Sequence, residues 1–208
     1  ARPAPPADWP SRLSVSQPVF PSALHENKLH NIRLACGRIA KLEIAPGAIF
    51  SFWAAVGRPG RRQGFREGRN LINGRLQSAV GGGLCQISGL IYHLALLGGL
   101  EVLERYPHSL DIYTEETRYT PLGADATVVF GYKDLRLRNP LPQPLRLGFA
   151  IADDRVEGWW SGPEPLPVRE LEFRRFPAGN KVRVETWQRL PAAAWQQVTE
   201  SHYRLLPA

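Results

Sequence analysis

The chain has 208 residues, of which 43% are hydrophobic and 22% charged, the composition of a folded globular domain. That excludes a disordered, collagen-like or coiled-coil chain, and no apolar run approaches the ~18 residues that span a bilayer. With 26 basic and 19 acidic residues the net charge is +7, which favours anionic partners without choosing among nucleic acid, acidic polymer and membrane.

Residues 1–22 carry Pro3, Pro5, Pro6, Pro10, Pro18 and Pro21 and read as an extended arm docked through Trp9 and Phe20. Leu29, Ile32, Cys36 and Ile39 recur at helical spacing, which predicts a helix from about Leu24 to Leu42. Pro46-Gly47 is a turn, and Ile49 to Trp53 reads as a short buried strand or loop. Arg58 to Gly74 is an arginine-rich loop with a hairpin through Asn73-Gly74. Gly81-Gly82-Gly83 then breaks the chain before a second helix, about Cys85 to Leu97, closed by Gly98-Gly99. Val102 to Thr114 and Ala126 to Leu137 read as strands, the latter alternating Val128, Phe130 and Tyr132 against Thr127, Val129 and Gly131. After Pro140, Pro142 and Pro144 a strand resumes at Leu145 to Ala152. In the tail, Val168 to Phe173 and Val182 to Trp187 flank a Gly179-Asn180 turn, and Trp195 to Leu206 adds a last strand.

Strands that mostly follow one another predict an α+β fold, mainly antiparallel sheet with two principal helices. The second helix starts at the Gly81-Gly82-Gly83-Leu84-Cys85-Gln86 segment. The expected organisation is an arm at 1–22, a central domain at 23–162, and a β-hairpin extension at 163–208 packed on that domain. The chain contains no Met and no basic-then-apolar leader, and reads as trimmed or processed.

The two cysteines, Cys36 and Cys85, are too few for a disulfide scaffold or a Cys-rich zinc site. Cys36 lies in the apolar stripe of its helix and reads as a core residue, whereas Cys85 opens the second helix. A helix N-terminus presents free N–H groups and partial positive charge, which favours a thiolate and can hold an oxyanion. On the helical wheel Ile87, Leu90, Ile91, Leu94 and Leu97 share one face, with Cys85, Ser88, Gly89 and Tyr92 opposite. Against this stands the common fate of a free cysteine, a small core filler.

A thiolate nucleophile wants an imidazole and a group that orients it. His25 and His30 mimic a zincin motif, but a spacing of five turns them about 140° apart on a helix, so no metal is expected. His93 reads as a packed residue of the second helix, and His202 has no partner in the sequence. His108 precedes Ser109 and a strand, a position from which a ring can face a cleft. Asp111, Asp125 and Asp134 are all open as the orienting carboxylate. Arg58, Arg61, Arg62, Arg66 and Arg69 read as a solvated face or an anion-binding surface. No nucleic-acid motif and no P-loop occur, and no cofactor is called for.

At these residues the chain resembles the VanW family, named for a component of glycopeptide-resistance clusters. The resemblance runs over Pro46 to Phe52, Val56-Gly57, Gly64-Phe65, and most specifically Gly81 to Ser88 with Leu90, Tyr92, Ala95 and Gly99-Leu100. It continues through Glu104-Arg105, His108-Ser109, Gly123 to Val128 and Gly131 to Asp134. Many members carry a second Ser after Ser88, where this chain has Gly89.

The resemblance implies a cell-envelope protein acting on peptidoglycan stem peptides or precursors, with L,D-transpeptidase-like acyl transfer through a cysteine thioester. In that reading Cys85 is the nucleophile, His108 the base and Asp125 its orienter. Substrate-binding or oxyanion roles fall to Gly81, Gly82, Gly83, Leu84, Gln86, Ser88, Arg105 and Tyr132. Two alternatives remain at this point: a cysteine peptidase or amidase using water, and a non-catalytic module binding peptidoglycan or its precursors.

Overall fold

The computed structural model describes residues 9–72, 75–111, 113–114 and 118–205, with only the backbone described at 69–72 and 75–77. Strand β1 (Ser11–Pro18) is followed by helix α1 (His25–Ile39), then β2 (Glu43–Ile44), β3 (Ile49–Ser51) and the short helix α2 (Phe52–Val56). Next come the ribbon β4 (Glu67–Ile72) and β5 (Arg75–Val80), helix α3 (Leu84–Gly98), β6 (Glu101–Glu104) and β7 (Leu110–Asp111). Strands β8 (Arg136–Arg138), β9 (Leu145–Ile151) and β10 (Arg155–Gly162) complete the central part. The tail forms β11 (Glu170–Ala178), β12 (Lys181–Arg189) and β13 (Gln196–Leu205).

The strands sort into sheets ordered β1-β10-β9-β2, β3-β8-β6 and β11-β12-β13-β7, with β4-β5 as a separate ribbon. Pairing is antiparallel throughout except between β13 and β7. The fold is therefore α+β, as the succession of strands predicts.

Helix α1 buries Leu29, Ile32, Ala35, Cys36 and Ile39, the apolar stripe read from the sequence. Helix α3 differs from the wheel reading, because both its apolar face and the opposite one are covered. Ser88, Gly89 and Tyr92 are buried together with Ile87, Leu90, Ile91 and Leu94. One side packs on β10, where a Cβ at Gly158 would come within 3.0 Å of Leu90. The other side packs on residues 124–126, with Ser88 Oγ donating to the Ala126 carbonyl at 2.6 Å. A helix this apolar belongs at the centre of the core.

Part of the Pro-rich arm is a strand. Ser11–Pro18 pairs along its whole length with β10, itself a strand whose buried and half-buried residues alternate from Val156 to Gly162. The expected strand from Ala126 to Leu137 exists only at Arg136–Arg138. Before it the chain reverses in a tight turn closed by paired bonds between Val129 and Lys133, with Gly131 at φ +84°. The reversal puts Val129, Phe130 and Tyr132 at the surface despite their strand-like alternation.

The expected strand from Val102 to Thr114 is likewise two short ones. Pro107 has no N–H to give a ladder, and the His108 N–H goes to a carboxylate instead. The Gly179-Asn180 hairpin forms as expected, with Ala178 opposite Lys181. The Asn73-Gly74 turn lies outside the described residues, although the strands flanking it pair with Ile72 opposite Arg75.

Candidate active site

The glycine turn before α3 is locally determined. Gly81 and Gly83 adopt φ +93° and +98°, the left-handed region where a side chain is strained, and Gly83 is the N-cap of α3. A Cβ at Gly83 would also stand 2.9 Å from Lys28 Cγ on α1. Buried Asn31 of α1 fixes the turn from behind, donating to the carbonyls of Gly82 (3.0 Å) and Arg66 (2.9 Å) and accepting from the Arg66 N–H (2.8 Å). Sequence reasoning missed Asn31. Its one available signal was a polar residue flanking the apolar stripe of α1.

This turn delivers Cys85 to the second position of α3, half-buried at the floor of a cleft of about 480 Å³. His108 and Asp125 line the same cleft. The Asp125 carboxylate accepts from His108 Nδ1 at 2.6 Å and from the His108 backbone N–H at 2.8 Å, both through Oδ2. With Nδ1 committed to Asp125, Nε2 is the ring nitrogen left for the thiol. Cys85 Sγ also points to the Val128 carbonyl at 3.8 Å.

The electrostatics follow from these contacts. Burial alone would raise the Cys85 pKa, but the hydrogen bond and positive charge of His108, with smaller contributions from Val128 and Thr127, outweigh it and lower the pKa overall. Burial would lower the His108 pKa, yet the hydrogen bonds and charges of Asp125 and Cys85 hold it up at about 10. Asp125 is buried, which opposes ionisation. Its bond to His108, the Arg105 charge and the Tyr203 hydroxyl nonetheless keep its carboxyl well below the usual carboxylate range. Both shifts run toward a thiolate–imidazolium pair, the direction in which a cysteine nucleophile is activated. Cys36 is the opposite case, since burial pushes its thiol up without a compensating charge.

The other two candidate aspartates are engaged elsewhere. Asp134 accepts from Ser51 Oγ (2.5 Å) and from the N–H groups of Trp53 and Leu135, tying down the start of α2. Asp111 takes the Arg118 guanidinium on both oxygens, at 3.1 and 2.7 Å, in the cleft wall.

The remaining sequence-derived positions divide by geometry. Gly81, Gly83, Leu84 and Gln86 line the cleft. Gly82 is buried beneath it with its carbonyl on Asn31. Gln86 Nε2 is bound to the Pro18 carbonyl at 2.8 Å. Ser88 is fully buried and ties α3 to the stretch carrying Asp125. Arg105 does not reach the cleft surface. It lies behind Asp125, bonded to its Oδ1 at 2.9 Å and to its backbone carbonyl at 2.7 Å. Tyr132 is 85% exposed at the tip of the 129–133 turn and is not among the cleft residues.

His25 and His30 bond to separate backbone carbonyls, those of Asp153 and Gly64, and no metal-binding cluster occurs among the described residues. The His93 ring packs edge-on to Phe173, and its burial drops the pKa to about 4. His202 is exposed beside Glu200. Arg58, Arg61, Arg62 and Arg66 are exposed, with Arg61 paired to Glu67, whereas the Arg69 side chain lies outside the described residues.

The family model described as VanW-like protein matches residues 27–160, which contain Cys85, His108 and Asp125. Vancomycin B-type resistance protein VanW of Enterococcus faecalis (strain ATCC 700802 / V583) is 31% identical over 139 residues, 67% of this chain and 50% of that protein. The uncharacterized protein YoaR of Bacillus subtilis (strain 168) is 34% identical over 121 residues, 58% of this chain and 38% of that protein. The chain thus spans half or less of the length of these two relatives. No solved structure matches it. Because the matched segment takes in more than half of the chain and the whole Gly81–Asp125 constellation, the chain belongs to the VanW family.

Proposed function

We propose that this chain is a cysteine acyl transferase of L,D-transpeptidase type, acting on peptidoglycan stem peptides in the cell envelope. The observation that carries the reading is the Cys85–His108–Asp125 constellation on one cleft, with Nδ1 of His108 held by Asp125 at 2.6 Å. A core cysteine or a passive anion nest has no use for an imidazole so oriented. The Enterococcus relative is named for vancomycin resistance, which supports a cell-wall setting in this reading, and the +7 charge suits a carboxylate-bearing wall polymer.

In the proposed reaction the Cys85 thiolate attacks the carbonyl joining the third stem residue to the terminal D-alanine. The tetrahedral oxyanion lies at the glycine turn. The Leu84 and Gln86 N–H groups already donate to the carbonyls of Gly81 and Gly83, so the amides of Gly83 and Cys85 are the proposed donors. The His108 imidazolium gives its proton to the leaving D-alanine amine, and a thioester remains on Cys85. An acceptor amine then loses its proton to neutral His108 and takes the acyl group, which regenerates the thiolate. Asp125 holds the ring through both steps without itself changing protonation.

The test is incubation with tetrapeptide-stem muropeptides followed by mass spectrometry. Cross-linked dimers, released D-alanine and a Cys85 acyl adduct are expected, and all three vanish in Cys85→Ala. Trimmed monomers alone would turn the reading to hydrolysis. Tight binding with neither product nor adduct would leave a binding module and sink the catalytic assignment.

A further inference from the structure

We propose that Tyr203 is a positioning residue of this centre, so that the C-terminal sheet beyond the family-matched segment is a working part of the site. The inference rests on the catalytic reading of Cys85. Tyr203 lies on β13, fully buried, outside residues 27–160. Its hydroxyl donates to Asp125 Oδ1 at 2.5 Å and accepts from Arg105 Nη2 at 3.1 Å. It therefore sits at the junction between the carboxylate and the guanidinium.

That junction needs a third party. Four groups able to alternate in charge stand in a row: the Arg105 guanidinium, the Asp125 carboxylate, the His108 ring and the Cys85 sulfur. A guanidinium prefers to grip both oxygens of a carboxylate through its fork. Here Arg105 reaches only Oδ1, while Oδ2 is given wholly to the two N–H groups of His108. The arm Nη1 is drawn away to Ser201 Oγ, and Nε to the Asp125 backbone carbonyl. The guanidinium is further seated over the Tyr92 ring, 4.8 Å from its centroid, and Tyr92 is itself bonded to Thr199 of β13.

Tyr203 and Ser201, both on β13, thus hold Arg105 in one-oxygen engagement and keep the second oxygen for the catalytic ring. Without the Tyr203 hydroxyl, Oδ1 loses a donor and the carboxylate turns toward the fork. His108 then loses its counter-charge, and Cys85 loses its cation. The other ionisable groups lining the cleft are Lys28, Tyr113, Tyr119 and the Asp111–Arg118 pair, none of which a change at Tyr203 removes.

The experiment is the pH profile of Cys85 alkylation by iodoacetamide on the full chain, with the site read by peptide mass spectrometry. Tyr203→Phe keeps the ring and deletes the hydroxyl. Its alkylation midpoint is expected to rise by about one pH unit toward that of His108→Ala, about tenfold slower labelling below the midpoint. Val184→Ala, which hollows the buried face of the same sheet, should unfold at a lower temperature yet keep the wild-type midpoint. A Tyr203→Phe midpoint equal to wild type, with wild type itself activated by His108, overturns the proposal. Wild type and His108→Ala sharing one midpoint near 8.5 would instead overturn the catalytic reading beneath it. Should Tyr203→Phe not fold, Ser201→Ala carries the test, because freeing Nη1 returns the fork to Asp125. A smaller shift in the same direction supports the proposal, and no shift overturns it.

Discussion

Asp125 Oδ2 accepts two hydrogen bonds from one residue, His108, through its ring Nδ1 and its backbone N–H. The double contact fixes both the ring and the chain carrying it. Because the His108 amide is spent here and Pro107 has none, the chain from 105 to 109 leaves the sheet and turns toward the cleft. One carboxylate thereby shapes the loop as well as the imidazole.

The first prediction concerns the thiols. Cys85 is expected to alkylate readily at pH 6.5 while Cys36 stays unlabelled in the folded chain, since His108 lowers the one and burial raises the other. In His108→Ala burial is opposed only by the smaller contributions of Val128 and Thr127, so the midpoint should rise to or above the ordinary ~8.5 of a free thiol. Labelling at pH 6.5 should fall by tenfold or more. Equal labelling of the two cysteines in the native protein would refute the assignment.

Asp125 gives a stability prediction with a definite sign. Its folded pKa lies below its unfolded value of about 3.9, so its stabilisation is complete above that value and is lost as pH falls through the folded pKa. Urea unfolding between pH 5 and 2 should show this acid loss in wild type and a flatter slope in Asp125→Asn. At neutral pH the substitution leaves buried Arg105 and His108 without their carboxylate, at a cost of roughly 3 kcal/mol.

Gly83→Ala tests the glycine turn. The residue must hold φ +98° and place a Cβ 2.9 Å from Lys28 Cγ. About 1–3 kcal/mol of destabilisation is expected, together with weaker Cys85 labelling as the start of α3 shifts. A melting temperature matching wild type would show that the turn tolerates a side chain.

Ser88→Ala should cost ~1–3 kcal/mol, because the buried Ala126 carbonyl loses its 2.6 Å donor. Isothermal denaturation measures it. A near-neutral value would mean that the 124–128 stretch is held on α3 by packing alone.

The local features were legible because each rests on short-range chemistry. Three consecutive glycines, a cysteine behind them and an apolar run announce a helix start with a thiol on it, and α3 begins at Leu84. The Gly179-Asn180 hairpin and the apolar stripe of α1 were readable for the same reason. The alternation from Thr127 to Tyr132 misled, because a two-residue period does not reveal that the chain reverses at Gly131. The wheel of α3 misled too, since a helix enclosed by β10 on one side and residues 124–126 on the other has no polar face to display.

What the sequence by itself determined is the candidate thiol and its helix terminus, the α+β class and the short list of imidazole and carboxylate partners. The residues alone leave Asp111, Asp125 and Asp134 open, the resemblance implies Asp125, and the contact between Asp125 and His108 appears only in the tertiary structure. All three are ionisable groups near strands, and only the folding of 105–109 against 123–128 brings one of them to His108. The roles of Asn31, Arg105 and Tyr203 also appear only there. Each acts by hydrogen bonds across 20 to 98 residues of chain, a separation that no local pattern records.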